Sequence, residues 1–265
     1  MSIKIRVFNQ TRDTVVNKMK VSIGDKQWNE NIDFIDLLKD TLKIHPLNRH
    51  PIIDALNDGK ISRENLVKIH LEYRYAIAQI FTDALLMAQY QTRQLELRFQ
   101  SGIKMYPRFL LGLNVFEEFG FNLNSRDLND IGNPDLARYP KFEKVLDELE
   151  VGSDARKRYI PSKSAKKVRQ YLENSFFSYT SILALLAVVE MEALIFSSPL
   201  SNALKNIGIH IDGGYCLEEG GAKGDLWFAL AHACTKEDYI NIYEICLKYC
   251  DLWNEFWDHQ LKICN

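Results

Sequence analysis

Apolar residues recur at helical spacing along most of the chain. Ile32, Phe34, Ile35, Leu37, Leu38 and Leu42 predict a helix that stops before Pro46. A short helix is expected from His50-Pro51 to Leu56, with Gly59 as its C-terminal stop. Ser62 is a good N-cap, and Glu64 falls in the first turn, where the helix dipole favours an anion. From there Leu66, Ile69, Tyr73, Ile77, Ile80, Phe81, Leu85 and Met87 carry an apolar face for about thirty residues. A further helix over Leu95 to Phe119 is expected to bend near Pro107 and end at Gly120. Phe121 to Pro140 reads as a long loop, being rich in Asn, Asp, Gly and Pro, and Tyr139 to Leu149 as a short amphipathic helix.

Lys166 to about Ile207 reads as one long helix, apolar on nearly all sides between Phe176 and Phe196. Such all-round apolarity marks a central, buried position. Gly213-Gly214, Gly220-Gly221 and Gly224 punctuate a second loop before helix resumes near Asp225. Thr235-Lys-Glu-Asp238 has the spacing of a capping box, so the backbone is expected to break and restart at Thr235. Beyond it Ile242, Ile245, Cys246, Tyr249, Leu252, Trp253, Phe256 and Trp257 keep a helical stripe. Residues 1–28 differ: Ile3, Ile5 and Val7 alternate with polar residues, as do Val21 and Ile23, which suggests extended segments or a loosely held arm. The remainder, 29–265, reads as one all-α domain, a bundle of about seven helices.

Composition narrows the possible partners. With 265 residues, 46% of them hydrophobic, the chain can bury one large core. Its net charge of −2, from 33 basic and 35 acidic residues, gives no reason to expect nucleic acid or anionic lipid. The local cluster Lys163, Lys166, Lys167 and Arg169 reads as a solvated helix start. The opening MSIKIRVFNQ lacks the apolar core of a signal peptide. The longest apolar stretch, Ile182 to Val189, is broken by Glu190 and Glu192 and reads as too short to span a bilayer. Five cysteines (Cys216, Cys234, Cys246, Cys250, Cys264) form no CxxC pair, which points to reduced thiols in a cytoplasm. A soluble protein is the expectation.

Polar residues inside apolar helices are the candidates for chemistry. Glu117 and Glu118 lie between Phe116 and Phe119, Glu190 and Glu192 interrupt ALLAVVEMEAL, and His232 sits in WFALAHAC. A buried carboxylate is costly unless it is paired, hydrogen-bonded, protonated or bound to metal. Carboxylates and imidazoles on facing helices are how helical bundles hold iron or manganese. Each residue also has a structural reading. One glutamate of each near-adjacent pair would face solvent, and His232 would bond to a carbonyl. Cys234, two residues beyond it, reads as an inert buried thiol. No GxGxxG, P-loop, GxSxG or HExxH occurs.

Several segments together resemble the haem-oxygenase-like helical superfamily. They are His50-Pro51, Ala55-Leu56, Gly59-Lys60-Ile61-Ser62 and Glu64-Asn65-Leu66; then Asn114-x3-Glu118-x-Gly120, Tyr139-Pro140-Lys-Phe142, Ala187-Val-Val-Glu190, and a stretch from His232 similar to His-x3-Asp-x2-His. The likeness covers roughly residues 45–258. It is nearest to the haem-oxygenase-like diiron oxidases and the Chlamydia protein associating with death domains, with TenA and PqqC proteins more distant. Only Glu118, Glu190 and His232 match metal-ligand positions of the family; Tyr139, Lys236 and Tyr239 stand where other ligands would be.

The resemblance implies an oxidase- or oxygenase-related enzyme acting on a small metabolite, with an incomplete or altered metal site. Iron is the implied cofactor. Glu118, Glu190 and His232 would be metal ligands or acid/base groups, and Tyr139 and Tyr239 polar wall groups or redox-active phenols. Two site chemistries stay open: one divalent metal with free positions, or Lys236 supplying the positive charge instead of metal. The alternative function is a metal-free small-molecule-binding or interaction protein that kept the fold. Either way the bundle is expected to enclose a cavity lined by Tyr73, Phe81, Tyr139, Tyr179 and Tyr239 that takes a small polar or amphipathic ligand. A TenA-type hydrolase would need Cys234 in that cavity, and a haem oxygenase would need His70 as proximal ligand; His70 reads better as a neighbour of the helix core stripe. Related folds also suggest a homodimer.

Overall fold

The order of helices follows the polar breaks in the chain. The computed structural model describes residues 3–121, 132–210 and 224–264. Among these lie twelve α-helices: α1 (Ile3–Ile23), α2 (Asp25–Lys43), α3 (Ile52–Asn57), α4 (Arg63–Tyr73), α5 (Phe81–Gln91), α6 (Met105–Glu118), α7 (Arg138–Glu148), α8 (Ser153–Arg158), α9 (Lys163–Glu173), α10 (Tyr179–Asn206), α11 (Asp225–Ala233) and α12 (Tyr239–Cys264). No strand occurs among the described residues; Phe121 and Gly132 form an isolated antiparallel bridge. The protein is all-α. Gly213, Gly214, Cys216, Gly220 and Gly221 lie outside the described residues.

Local capping explains why there are twelve helices rather than about seven. The predicted helix over Lys166–Ile207 is two helices, because Ser178 caps α10 by accepting the Ser181 N–H at 3.2 Å. The helix predicted over Leu95–Phe119 is also divided. Thr92–Leu97 is a 3₁₀ segment, and Pro107 sits in the first turn of α6, where it starts a helix rather than bends one. Ser62 does cap α4, accepting the Asn65 N–H at 3.3 Å. The Thr235 break is present too, with the Thr235 N–H donating to Asp238 Oδ2 at 2.8 Å.

The N-terminal expectation is corrected. Residues 3–23 are helical and continue through Gly24, at φ 84°, into α2. Arg12, Val15 and Met19, spaced three and four apart, form a buried helical face that outweighs the short upstream alternation. Val21, counted in the alternating pattern, is 71% exposed. This face packs α1 against α2, α6 and α11.

Helix α10 is the axis, packed against α3, α5, α9, α11 and α12. By length and composition alone the whole helix is long and apolar enough to cross a membrane, a test that the buried core helix of a bundle also passes. Within this fold 67% of its most apolar window is buried in the protein. Its Phe196 ring stacks on Trp257 of α12 at 4.1 Å, and Trp257 meets Phe256 edge-on. Tyr179, Phe196, Tyr249, Trp253, Phe256 and Trp257 are the largest enclosed side chains, so the C-terminal aromatic stripe is core. His50 joins α12 to the start of α3, with Nε2 3.1 Å from Asp258 Oδ1 and Nδ1 accepting the Ile52 N–H.

Candidate functional site

The candidate site begins where the helical ladder widens. After α4 the chain makes a π turn over Arg74–Ala78, in which the Gln79 N–H donates to the Arg74 carbonyl five residues back at 3.1 Å. Such wide turns recur at functional sites. This one sets Ile77 and Ala78 into the wall of a cavity completed by Tyr73, Phe81, Glu118, Arg138, Tyr139, Phe142, Val189 and Ala193. Its volume is about 50 Å³, room for a few waters or a small organic fragment. A smaller chamber of about 10 Å³ shares Phe81, Glu118 and Arg138 and adds Leu85, Asn114, Glu117 and Glu190. One end of the site is therefore apolar and the other is ionic.

Glu118 and Glu190 are both buried, yet their surroundings differ. Arg138 Nε lies 3.0 Å from Glu118 Oε1, and Thr82 Oγ1 donates to Oε2 at 3.4 Å. Burial still holds Glu118 above the usual carboxylate range, with Arg138 and Thr82 only partly opposing it. Glu190 has no hydrogen-bond or ion-pair partner among the described residues. Burial, followed by the charge of Asp225, pushes its pKa up to about 8. Asp225 is itself gripped by Arg12, whose Nε donates to Oδ1 at 3.0 Å and to Oδ2 at 2.9 Å. Asn114 Nδ2, in the same small chamber as Glu190, is buried without a partner.

The expectation that one of Glu190 and Glu192 faces solvent is corrected, since α10 is enclosed on every side that carries them. Glu192 is fully buried, accepting the Tyr73 hydroxyl at 2.9 Å and the Trp257 indole N–H at 3.0 Å. Burial pushes it up to about 8 against those two bonds. Tyr139 stands at the cavity's other edge, its hydroxyl accepting from Arg74 at 2.9 Å and from Gln79 at 3.4 Å. Burial is the main cause of its raised pKa.

The six sequence candidates divide into two groups. Glu118, Glu190 and Tyr139 border the two neighbouring chambers, which share Phe81, Glu118 and Arg138 in their walls, and Tyr73 borders the larger. His232, Lys236 and Tyr239 border neither, because α11 and the start of α12 turn them toward α1 and α2. His232 Nε2 is 3.0 Å from Ser22 Oγ and its ring lies over Phe99, while burial and then Arg98 push its pKa down to about 4. Lys236 is exposed and pairs with Glu30 at 3.0 Å, so it is not the cation that faces the cavity glutamates. Tyr239 donates to Asn31 Oδ1 at 2.6 Å and stacks on Phe34. Tyr179 is enclosed in the core, its hydroxyl buried without a partner.

These positions do not suit the implied iron centre. Among the described residues no three His, Cys, Asp or Glu side chains gather to hold a metal ion. Glu118 already faces a guanidinium, which repels a cation in a low-dielectric site. The haem and thiol alternatives lack support as well. His70 is buried with Nδ1 2.7 Å from the Leu66 carbonyl and its pKa pushed down to about 4, and Cys234 is a buried thiol pushed up to about 12. Sequence reasoning missed Arg138 and Asn114. Asn114-x3-Glu118 did carry a signal, since residues four apart share a helix face. Arg138 carried none, standing at the end of a segment read as loop. No protein-family model matches this sequence, and no curated protein matches it.

Proposed function

We propose that the chain is a haem-oxygenase-like bundle whose carboxylate cavity binds a small amphipathic molecule without a resident metal. The observation that carries this reading is the Arg138–Glu118 pair: the protein supplies its own cation where the resemblance implies a metal. The order of the His50-Pro51, Glu118, Tyr139-Pro140 and Glu190 segments supports the fold assignment. An apolar wall with a few convergent polar groups is the usual composition of a small-molecule site. The oxidase reading keeps one observation in its favour, the approach of Glu118 and Glu190 to a single chamber.

Two measurements separate the readings. Anaerobic loading with Fe(II), then dialysis and elemental analysis, is expected to leave substoichiometric iron. About one or two irons per chain, lost in both Glu118→Gln and Glu190→Gln, would restore the oxidase reading. Ligand-observed NMR of a mixture of small fragments is expected to show binding that Ala193→Phe, which fills the cavity, abolishes. Binding unaffected by that substitution would place any ligand site elsewhere.

A further inference from the structure

We propose that the occupant of this cavity is a primary amine, its ammonium group held between Glu118 and Glu190 beside Asn114 and its short apolar body lying along Ile77, Phe81 and Val189. The inference rests on the ligand-binding reading above and names the ligand's chemistry.

Three features of the small chamber point to a cationic head. Glu190 is 7% exposed and has no partner among the described residues, an arrangement that costs free energy unless something supplies one. Glu118, across the same chamber, has one oxygen on Arg138 and a second oxygen bonded only weakly, to Thr82 at 3.4 Å. Asn114, 9% exposed, has an amide N–H₂ without a partner. Turning that amide by half a rotation sacrifices no bond and presents its carbonyl oxygen instead. An ammonium has three N–H donors, and the chamber then offers three acceptors.

Charge selects among ligands. Three carboxylates, Glu117, Glu118 and Glu190, face the single guanidinium of Arg138 in this chamber, so its lining favours a cation. An anion would meet these carboxylates, with Arg138 already engaged. Glu117 borders the chamber, Asp225 with Arg12 faces Glu190 from α11 and α1, and Lys39 and Lys43 of α2 border the space on its other side. The adjoining cavity suits a body of a few carbons, walled by Ile77, Ala78, Phe81, Phe142 and Val189.

Binding carries a proton balance. Near neutral pH the Glu190 carboxyl holds its proton, the amine arrives as ammonium, and Glu190 releases that proton to solvent as the ion pair forms. Affinity should therefore rise with pH, by about tenfold per unit over the range where free Glu190 is protonated.

The test titrates n-butylamine, n-butanol and n-butyrate into the full chain by ligand-observed NMR between pH 6 and about 8. The expected result is butylamine binding at least about tenfold tighter than the other two, with the stated pH slope and loss in Ala193→Phe. Glu190→Gln should weaken butylamine about tenfold or more and flatten the slope, and Asn114→Ala should weaken it without flattening. Thermal melting confirms that each variant is folded. Absence of butylamine binding sensitive to Ala193→Phe overturns the amine proposal. If butanol or butyrate then binds in the cavity, the ligand-binding reading survives alone; if neither does, both fall.

Discussion

Arg138, the first residue of α7, brings its Nε to 3.0 Å from Oε1 of Glu118, the last residue of α6. Glu118 is nearly enclosed and Arg138 is mostly so, which makes this a buried ion pair rather than a surface one. Arg138→Met should destabilise the fold by about 3 kcal/mol, because it leaves a buried carboxylate unpaired. Adding Glu118→Gln should recover most of that loss. Urea unfolding of the two single variants and the double variant measures the coupling. A cost below about 0.5 kcal/mol for Arg138→Met would mean that the pair contributes as little as an exposed one.

Four buried groups set a pH profile for stability. Glu190 and Glu192 titrate in the fold near 8, so between the ordinary carboxylate range and 8 the folded chain holds more protons than the unfolded one. Their contribution to stability falls as pH rises through that window. His70 and His232 titrate near 4 in the fold, so the unfolded chain holds more protons between 4 and the ordinary imidazole value. Their contribution falls as pH drops through that lower window. The melting temperature should peak at mildly acid pH and decline toward 8. Glu190→Gln should flatten the alkaline decline, and an unchanged decline in that variant would contradict the burial of its carboxyl.

Much of the fold was legible because its signals are local. Ser62 before Arg63, the Thr235–Asp238 box and the aromatic stripe ending at Trp257 each act within one or two turns of helix. What was not legible depends on approach between distant segments. The Arg138–Glu118 pair closes across a stretch that reads as loop, and His232 finds its partner in Ser22, on a segment whose alternation suggested extended chain. Glu118 borders one chamber with Tyr139 and a second with Glu190. The second half of the expected ligand set diverges because α11 packs on α2 and α6, which carries His232 away from the glutamates.

Asp225 connects the first helix to the candidate site. Its carboxylate is 2% exposed and held by Arg12 of α1. Arg12→Met should cost about 3 kcal/mol and loosen α1, visible as faster amide exchange along that helix. Asp225→Asn, which removes the charge that most raises Glu190 after burial, should lower the Glu190 pKa. Carboxyl-carbon NMR titration reads that shift directly, and a pKa that stays put would show that Asp225 does not act on Glu190.

Trp257 offers a conservative test of the aromatic core. Trp257→Phe keeps a ring near Phe196 but removes the N–H that Glu192 accepts at 3.0 Å. A loss of about 1–3 kcal/mol is expected, with the Glu192 pKa moving further upward because that bond favours its charged form. Phe196→Ala should cost more, about 3–5 kcal/mol, by opening a void beside the same indole. Denaturant unfolding that ranks the two in the opposite order would assign the greater weight to the hydrogen bond.

The π turn at Arg74–Ala78 also sets the phase of everything that follows it. Each helical residue advances the chain by about 100° around its axis, so deleting one residue there would rotate α5 by that angle relative to α4. Ala84, Leu85 and Ala88, now enclosed, would swing out of the core, and less buried positions such as Leu86 would turn in. The extra residue that shapes the cavity wall is thus also a spacer between two packing registers. Losing it would disrupt the bundle along with the site, so the length of this short segment is constrained more tightly than its amino-acid identities.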